Sequence, residues 1–149
     1  MAGRIEAIHV RPTHDAEATA APRAHLRAGM GLEGDRYYAA PGAGPGEALT
    51  LIEAEALEAL AAETGIRLSA ADSRRQLLTR GVGLNDLVGR EFSVGGVRCL
   101  GVELCEPCEH LQSLTQHGVL RGLVHRGGLR ADVLADGEIA VGDPVQALA

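Results

Sequence analysis

Short apolar runs parted by glycine- and proline-bearing turns dominate the chain, and few segments show the spacing of an amphipathic helix. Ile5, Ala7, Ile8 and Val10 predict a first strand over Gly3–Val10, ended by Arg11-Pro12. A polar loop rich in alanine and proline leads to a short strand around Ala24–Leu26. Pro41–Gly46 is read as a flexible connector. Leu49–Ile52 then reads as a strand running into a helix over Glu53–Thr64, where Ala54, Leu57, Leu60 and Ala61 recur on one face and Gly65 supplies the stop. Gly83–Gly89 fits one helical turn. Phe92–Val94 and Val97–Leu100 predict a hairpin across Gly95-Gly96, the two-residue connection that primed turns favour, and its second arm runs on to Leu104. Pro107 predicts the start of another helix, because its fixed φ suits a first turn that leaves N–H groups unpaired anyway. Val119–Val124 is a further short apolar piece. Leu129–Leu134 and Glu138–Val141 read as a second hairpin across Asp136-Gly137, with Gly142-Asp-Pro144 closing the last strand.

Strands of this kind with few helices predict an α+β, β-rich fold, a small β-barrel-like domain with a few peripheral helices rather than alternating βαβ units. A chain of 149 residues fits one such domain over 1–149. The core has to be aliphatic, since Phe92, Tyr37 and Tyr38 are the only large aromatic residues. That scarcity leaves no base-stacking platform, and a net charge of −6 disfavours nucleic acid and anionic membranes as partners. The first residues, Met1 to Glu6, carry no apolar signal pattern, and no apolar run approaches the roughly 20 residues of a membrane span, so a cytoplasmic protein is expected.

All fourteen basic residues are arginines, which excludes a lysine Schiff base and a P-loop lysine. Pyridoxal phosphate therefore cannot be held as an aldimine. Arginine keeps its charge and offers a planar fork to phosphate, carboxylate or oxyanion, so the cationic chemistry left to this chain is anion binding. Two segments suit it. Gly29–Arg36 carries closely spaced glycines that let backbone N–H groups approach a ligand, with Arg36 at its end, and Ser73–Arg80 gathers Arg74, Arg75 and Arg80 around Gln76. Either segment is equally a plain surface turn or a solvated face.

Two of the three cysteines stand in Leu104-Cys-Glu-Pro-Cys-Glu-His110. Three readings are open for them. They are small buried hydrophobes; or Cys105, Cys108 and His110, with His117 or His125, hold a zinc ion in a noncatalytic binding module, although no second Cys-x-x-Cys completes the set; or a reactive thiol carries sulfur, ligates a soft metal or cycles redox with its neighbour. A Cys108 placed in a first helical turn would be stabilised as thiolate, with Glu106 and Glu109 opposing. Cys99 is the odd third, on a strand without an activating neighbour.

The chain resembles the MOSC family, the domain named after the carboxy-terminal part of molybdenum cofactor sulfurase. Gly31-Leu-Glu-Gly-Asp-Arg36, Leu49-Thr-Leu-Ile52, Arg74-Arg-Gln-Leu-Leu-Thr-Arg-Gly-Val82, Leu84-Asn-Asp-Leu-Val-Gly89 and Pro107-Cys108 carry the likeness, which covers nearly the whole chain. The resemblance implies a β-rich barrel whose cysteine, at Cys108 here, holds sulfur as a persulfide or ligates molybdenum in its cofactor, molybdopterin. It implies cofactor contacts at Arg36, Arg74, Arg75, Gln76, Arg80 and His125. Cys105 belongs only to some members of the family, and its two-residue spacing from Cys108, that of redox dithiols, makes it a resolving or supporting thiol. Gln76 departs from the family pattern, which usually has asparagine there. The partners implied are the small-molecule cofactor and a sulfur-donor or electron-donor protein.

Overall fold

The computed structural model describes residues 2–39 and 42–148. Eleven strands are formed among them, β1 (Gly3–Val10), β2 (Thr19–Ala20), β3 (Arg23–Arg27), β4 (Gly31–Leu32), β5 (Leu49–Glu53), β6 (Leu77–Arg80), β7 (Glu91–Val94), β8 (Val97–Leu104), β9 (Leu129–Val133), β10 (Gly137–Ala140) and β11 (Pro144–Ala147). Three helices join them, α1 (Ala54–Thr64), α2 (Glu109–Leu114) and α3 (Val119–Gly122), with a 3₁₀ turn at Leu84–Leu87. The strand order β11-β7-β8-β9-β5-β6-β1, completed by pairing of β11 with β1, closes a seven-stranded barrel, and β2 extends β1 beyond it. A small sheet, β10-β3-β4, stands beside the barrel and shares its core through Leu26, Leu32 and Ile139.

Alternation decides which side chains fill the barrel. Along β9, Leu129, Ala131 and Val133 are buried in the core while Arg130 and Asp132 occupy the other face. β5 has no such alternation of polarity. Leu49 and Leu51 join the barrel core, whereas Ile52 on the opposite face is also buried, because the connection from β5 to its parallel neighbour β6 passes through α1, which packs back onto both. That helix ends at Gly65 in the left-handed conformation at φ 78°, where its N–H donates to the Ala61 carbonyl. A second apolar cluster of Leu60, Ile66, Leu68, Leu111, Val119 and Leu123 pins α2 and α3 against α1. No helix among the described residues is long and apolar enough to cross a membrane.

Three sequence expectations are corrected. Leu129–Leu134 and Glu138–Val141 do not pair with each other. β9 lies between β5 and β8, while β10 pairs with β3, so Asp136-Gly137 is a passage between sheets, fixed where Asp136 Oδ1 accepts the Ala28 N–H at 2.7 Å. Gly142-Asp-Pro144 does not close the last strand either, for β11 follows it and pairs with both β7 and β1. The third concerns the helix expected from Pro107. It begins at Glu109, and Cys108 is its N-cap, extended at φ −133° and ψ 169°. Proline fixes φ but leaves ψ free, so it suits an extended approach as well as a first turn. The Gly95-Gly96 hairpin, the helix after β5 and the turn at Leu84 form as expected. Of the connector at Pro41–Gly46, Pro41 lies outside the described residues.

Candidate functional site

The outward face of β5 and β9 is the floor of a cleft. Thr50 and Arg130 are direct register partners there, and the Arg36–Tyr38 turn, the Arg74-Arg75 bend and the Cys105–Leu111 segment rise around them. The cleft has two chambers that share Arg36, Tyr37, Thr50 and Arg130. The larger, of about 430 Å³, is completed by Tyr38, Ala39, Ala43 and Glu47. The smaller, of about 100 Å³, reaches Arg74, Arg75, Cys105 and Cys108.

Cys108 is the exposed thiol of the three. Its Sγ accepts a hydrogen bond from the Leu111 N–H at 3.5 Å. Cys99 lies in the barrel core, where burial, with Asp132 adding to it, pushes its thiol up to about 12. Cys105 is buried just past β8, and the segment from Cys105 to Cys108 forms no turn or bend, unlike a redox pair folded onto one helical turn. Its backbone is gripped from two sides. Its N–H donates to the Gly128 carbonyl at 2.7 Å, and its carbonyl accepts from Arg75 Nη2 at 3.0 Å. The approach is close enough to require glycine. A Cβ at Gly127 would stand 2.5 Å from the Cys105 carbonyl oxygen, and one at Gly128, where φ is 115°, would stand 2.0 Å from that of Leu51.

The arginines divide into distinct roles. Arg75 spends its guanidinium on the carbonyls of Gly127, Ser73 and Cys105, so it braces the cysteine segment while adding positive charge behind it. Arg74 adopts a left-handed backbone at φ 65° and donates to the His14 carbonyl. Burial and the neighbouring Arg11 and Arg36 charges lower its pKa. Arg36 is the least satisfied. Its side chain is 4% exposed, its closest carboxylate oxygen is Asp35 Oδ1 at 3.6 Å, its Nη2 reaches the Arg74 carbonyl at 3.4 Å, and its Nε has no partner. The guanidinium also lies 4.3 Å over the Tyr37 ring. A buried cation with loose partners beside two further arginines is costly unless an anion joins it.

Other expected contacts stand elsewhere. Arg80 is on β6 and pairs with Glu6 and Glu58, outside the cleft. Gln76 is 2% exposed and bonded at both ends of its amide: Nε2 donates to Asp35 Oδ2 at 2.8 Å, while Oε1 accepts from the Thr50 N–H at 2.8 Å. Its extra methylene relative to asparagine is used to span Thr50 and Asp35, which makes it a brace under the cleft floor. His125 is exposed at φ 62° and clamps Glu106, its N–H and its Nδ1 each lying 2.7 Å from one carboxylate oxygen. The N–H groups of the Gly29–Arg36 stretch do not form a ligand cradle either, because Asp35 N–H, Arg36 N–H and Glu33 N–H are spent on Leu32, Arg11 and His25 carbonyls. His110 lines the smaller chamber, but His117 does not, and among the described residues no three His, Cys, Asp or Glu side chains converge as a metal-holding group. The zinc module is thereby left without its ligand set.

Arg130, Tyr37, Thr50 and Glu47 were not foreseen as site residues. The alternation of Leu129-Arg-Ala-Asp-Val133 already put Arg130 on the outer face, yet only the pairing of β9 with β5 places it beside Thr50.

The fold and the cleft together define a small β-barrel domain that presents one exposed cysteine beside a cluster of arginines. The chain belongs to the MOSC domain family, whose model matches residues 40–146. No curated protein matches it at the level of sequence. Its fold is similar to that of the YuaD protein from Bacillus subtilis, with a TM-score of 0.82 at 18% identity, covering 99% of this chain and 96% of that one. YiiM from Geobacillus stearothermophilus (TM-score 0.77, 15% identity, 99% and 75% covered) and YiiM from Escherichia coli (0.69, 18%, 98% and 70%) share it as well.

Proposed function

We propose that this protein binds the molybdenum cofactor with which its family is associated, Cys108 serving as the thiolate ligand and Arg36, Arg74 and Arg130 receiving the anionic part. The observation that carries this reading is the shared cleft. An exposed soft ligand opens onto the same space as a buried guanidinium whose Nη atoms are held only loosely, at 3.6 Å from Asp35 and 3.4 Å from the Arg74 carbonyl. The residues fit such a group chemically, since sulfur suits a soft metal and the arginine fork suits phosphate and other oxyanions. When bound, the molybdenum centre would supply two-electron redox chemistry. The chain's own contribution is to hold Cys108 at the chamber mouth, to brace it through Arg75 and the Gly127-Gly128 approach, and to neutralise anionic charge. A donor of electrons or of sulfur would be the partner protein.

Elemental analysis and pterin fluorescence of protein purified from its own host test the reading. Bound molybdenum and pterin are expected, with Cys108→Ser losing the metal and Arg36→Ala retaining less of both. Protein that carries neither under conditions where the cofactor is made would overturn it. The exposure of Cys108 also favours a second reading, a persulfide carrier, which mass spectrometry would register as one added sulfur on Cys108 after treatment with a polysulfide.

A further inference from the structure

Arg36, Arg74 and Arg75 of the cleft also line a further, much smaller space. It leaves about 10 Å³ for the centre of a water-sized sphere, and its walls include His9, Arg11, Arg36, Arg74, Arg75 and Gln76. That is close to the least room that admits a single water. Among the described residues four buried side-chain polar atoms lack a hydrogen-bond partner, and three of them, His9 Nδ1, Arg11 Nε and Arg36 Nε, belong to residues lining this one space. Unpaired buried polar groups are rare, so three around one void call for a common partner.

Their chemistry specifies it. Arg11 spends its Nη atoms on the carbonyls of Ala16 and Ala71, and Arg36 turns its Nη atoms toward Asp35 and the Arg74 carbonyl, so in each Nε is the nitrogen that has no partner. In the neutral tautomer protonated on Nε2, His9 Nδ1 has a lone pair to offer, and burial together with Arg11 disfavours the charged ring. Two donors and one acceptor are satisfied by a molecule that accepts twice and donates once. A chloride would satisfy the two arginines, but it is larger than water and would face the His9 lone pair.

We propose that this cavity holds one fixed water, accepting from Arg11 Nε and Arg36 Nε and donating to His9 Nδ1, and that His9 thereby acts as a positioning residue for the Arg36 fork. The hydration site stands on the cavity alone; its bearing on ligand binding rests on the anion-binding reading given above.

The test uses the full chain. A high-resolution crystal structure should show one ordered water within hydrogen-bond distance of the three nitrogens, with no bromide replacing it after a soak. Nitrogen-15 spectra near neutral pH should show His9 protonated on Nε2 and bare on Nδ1. Titration with inorganic phosphate should then weaken roughly three- to tenfold in His9→Leu, the loss of about one hydrogen bond, and recover in His9→Asn, which restores an acceptor near the same point. An empty cavity, bromide density or a proton on Nδ1 would overturn the hydration site. Unchanged phosphate affinity in His9→Leu would overturn the positioning role. If the water and the tautomer are found but no variant, nor the parent protein, binds phosphate, the hydration site stands and the anion-binding reading fails.

Discussion

Cys108 and Cys99 show how far apart two thiols of one small protein can be placed. Cys99 sits in an aliphatic barrel where ionisation is opposed, while Cys108 is open to solvent. Brief alkylation with iodoacetamide at neutral pH, read by peptide mass spectrometry, should therefore modify Cys108 first and leave Cys99 untouched until the protein unfolds. The arginines part in the same way. Arg36→Ala should weaken phosphate or sulfate binding by about ten- to a hundredfold, the value of a charge-assisted contact of roughly 1.5–3 kcal/mol, and Arg36→Lys should restore only part because it lacks the fork. Arg80→Ala should leave that affinity unchanged, since its carboxylate partners lie outside the cleft. Sequence singled out the arginine-rich segment and Cys108, because residue type alone limits what they can do, and both reach the same cleft. It could not tell a fork lining the cleft from one facing Glu58. That distinction is made by residues far away in sequence.

Among the elements, those defined by neighbours in the chain were readable and those defined by distant partners were not. The β7–β8 hairpin needs only Gly95-Gly96 and two apolar arms, and it forms in the expected register, Val94 against Val97. Asp136-Gly137 is as good a local turn signal, yet the strands it separates pair with β5 and β8 on one side and β3 on the other, so the local signal misleads. The cysteine segment depends on the same kind of distant support. Gly128 combines a left-handed φ with a backbone contact to Leu51 that leaves no space for a methyl group, and its carbonyl receives the Cys105 N–H. Gly128→Ala should cost at least about 2 kcal/mol in denaturant unfolding. It should also speed alkylation of Cys105, whose anchor it disturbs. A loss of stability without any change at Cys105 would show the glycine to serve the barrel and not the site.

For the molecule as a whole, the cleft depends on a cluster of positive charge, and acid should strain it. Burial first, and then Arg11, hold His9 below its ordinary value of 6.5, while Arg36 borders the same cavity. At a pH above 6.5 the ring is neutral in folded and unfolded chains alike, and this contribution to stability is fully present. As pH falls through 6.5 the unfolded chain takes up the proton before the folded one, so stability declines until the folded pKa is passed. Thermal unfolding followed from pH 7.5 to 5 should show this decline, and His9→Asn, which cannot titrate, should show less of it over the same window. The carboxylates contribute an acid slope of their own, which the variant keeps, so the informative quantity is the difference between the two curves. Parallel curves would mean that His9 titrates alike in both states, and that the arginines around it do not act on it as a group.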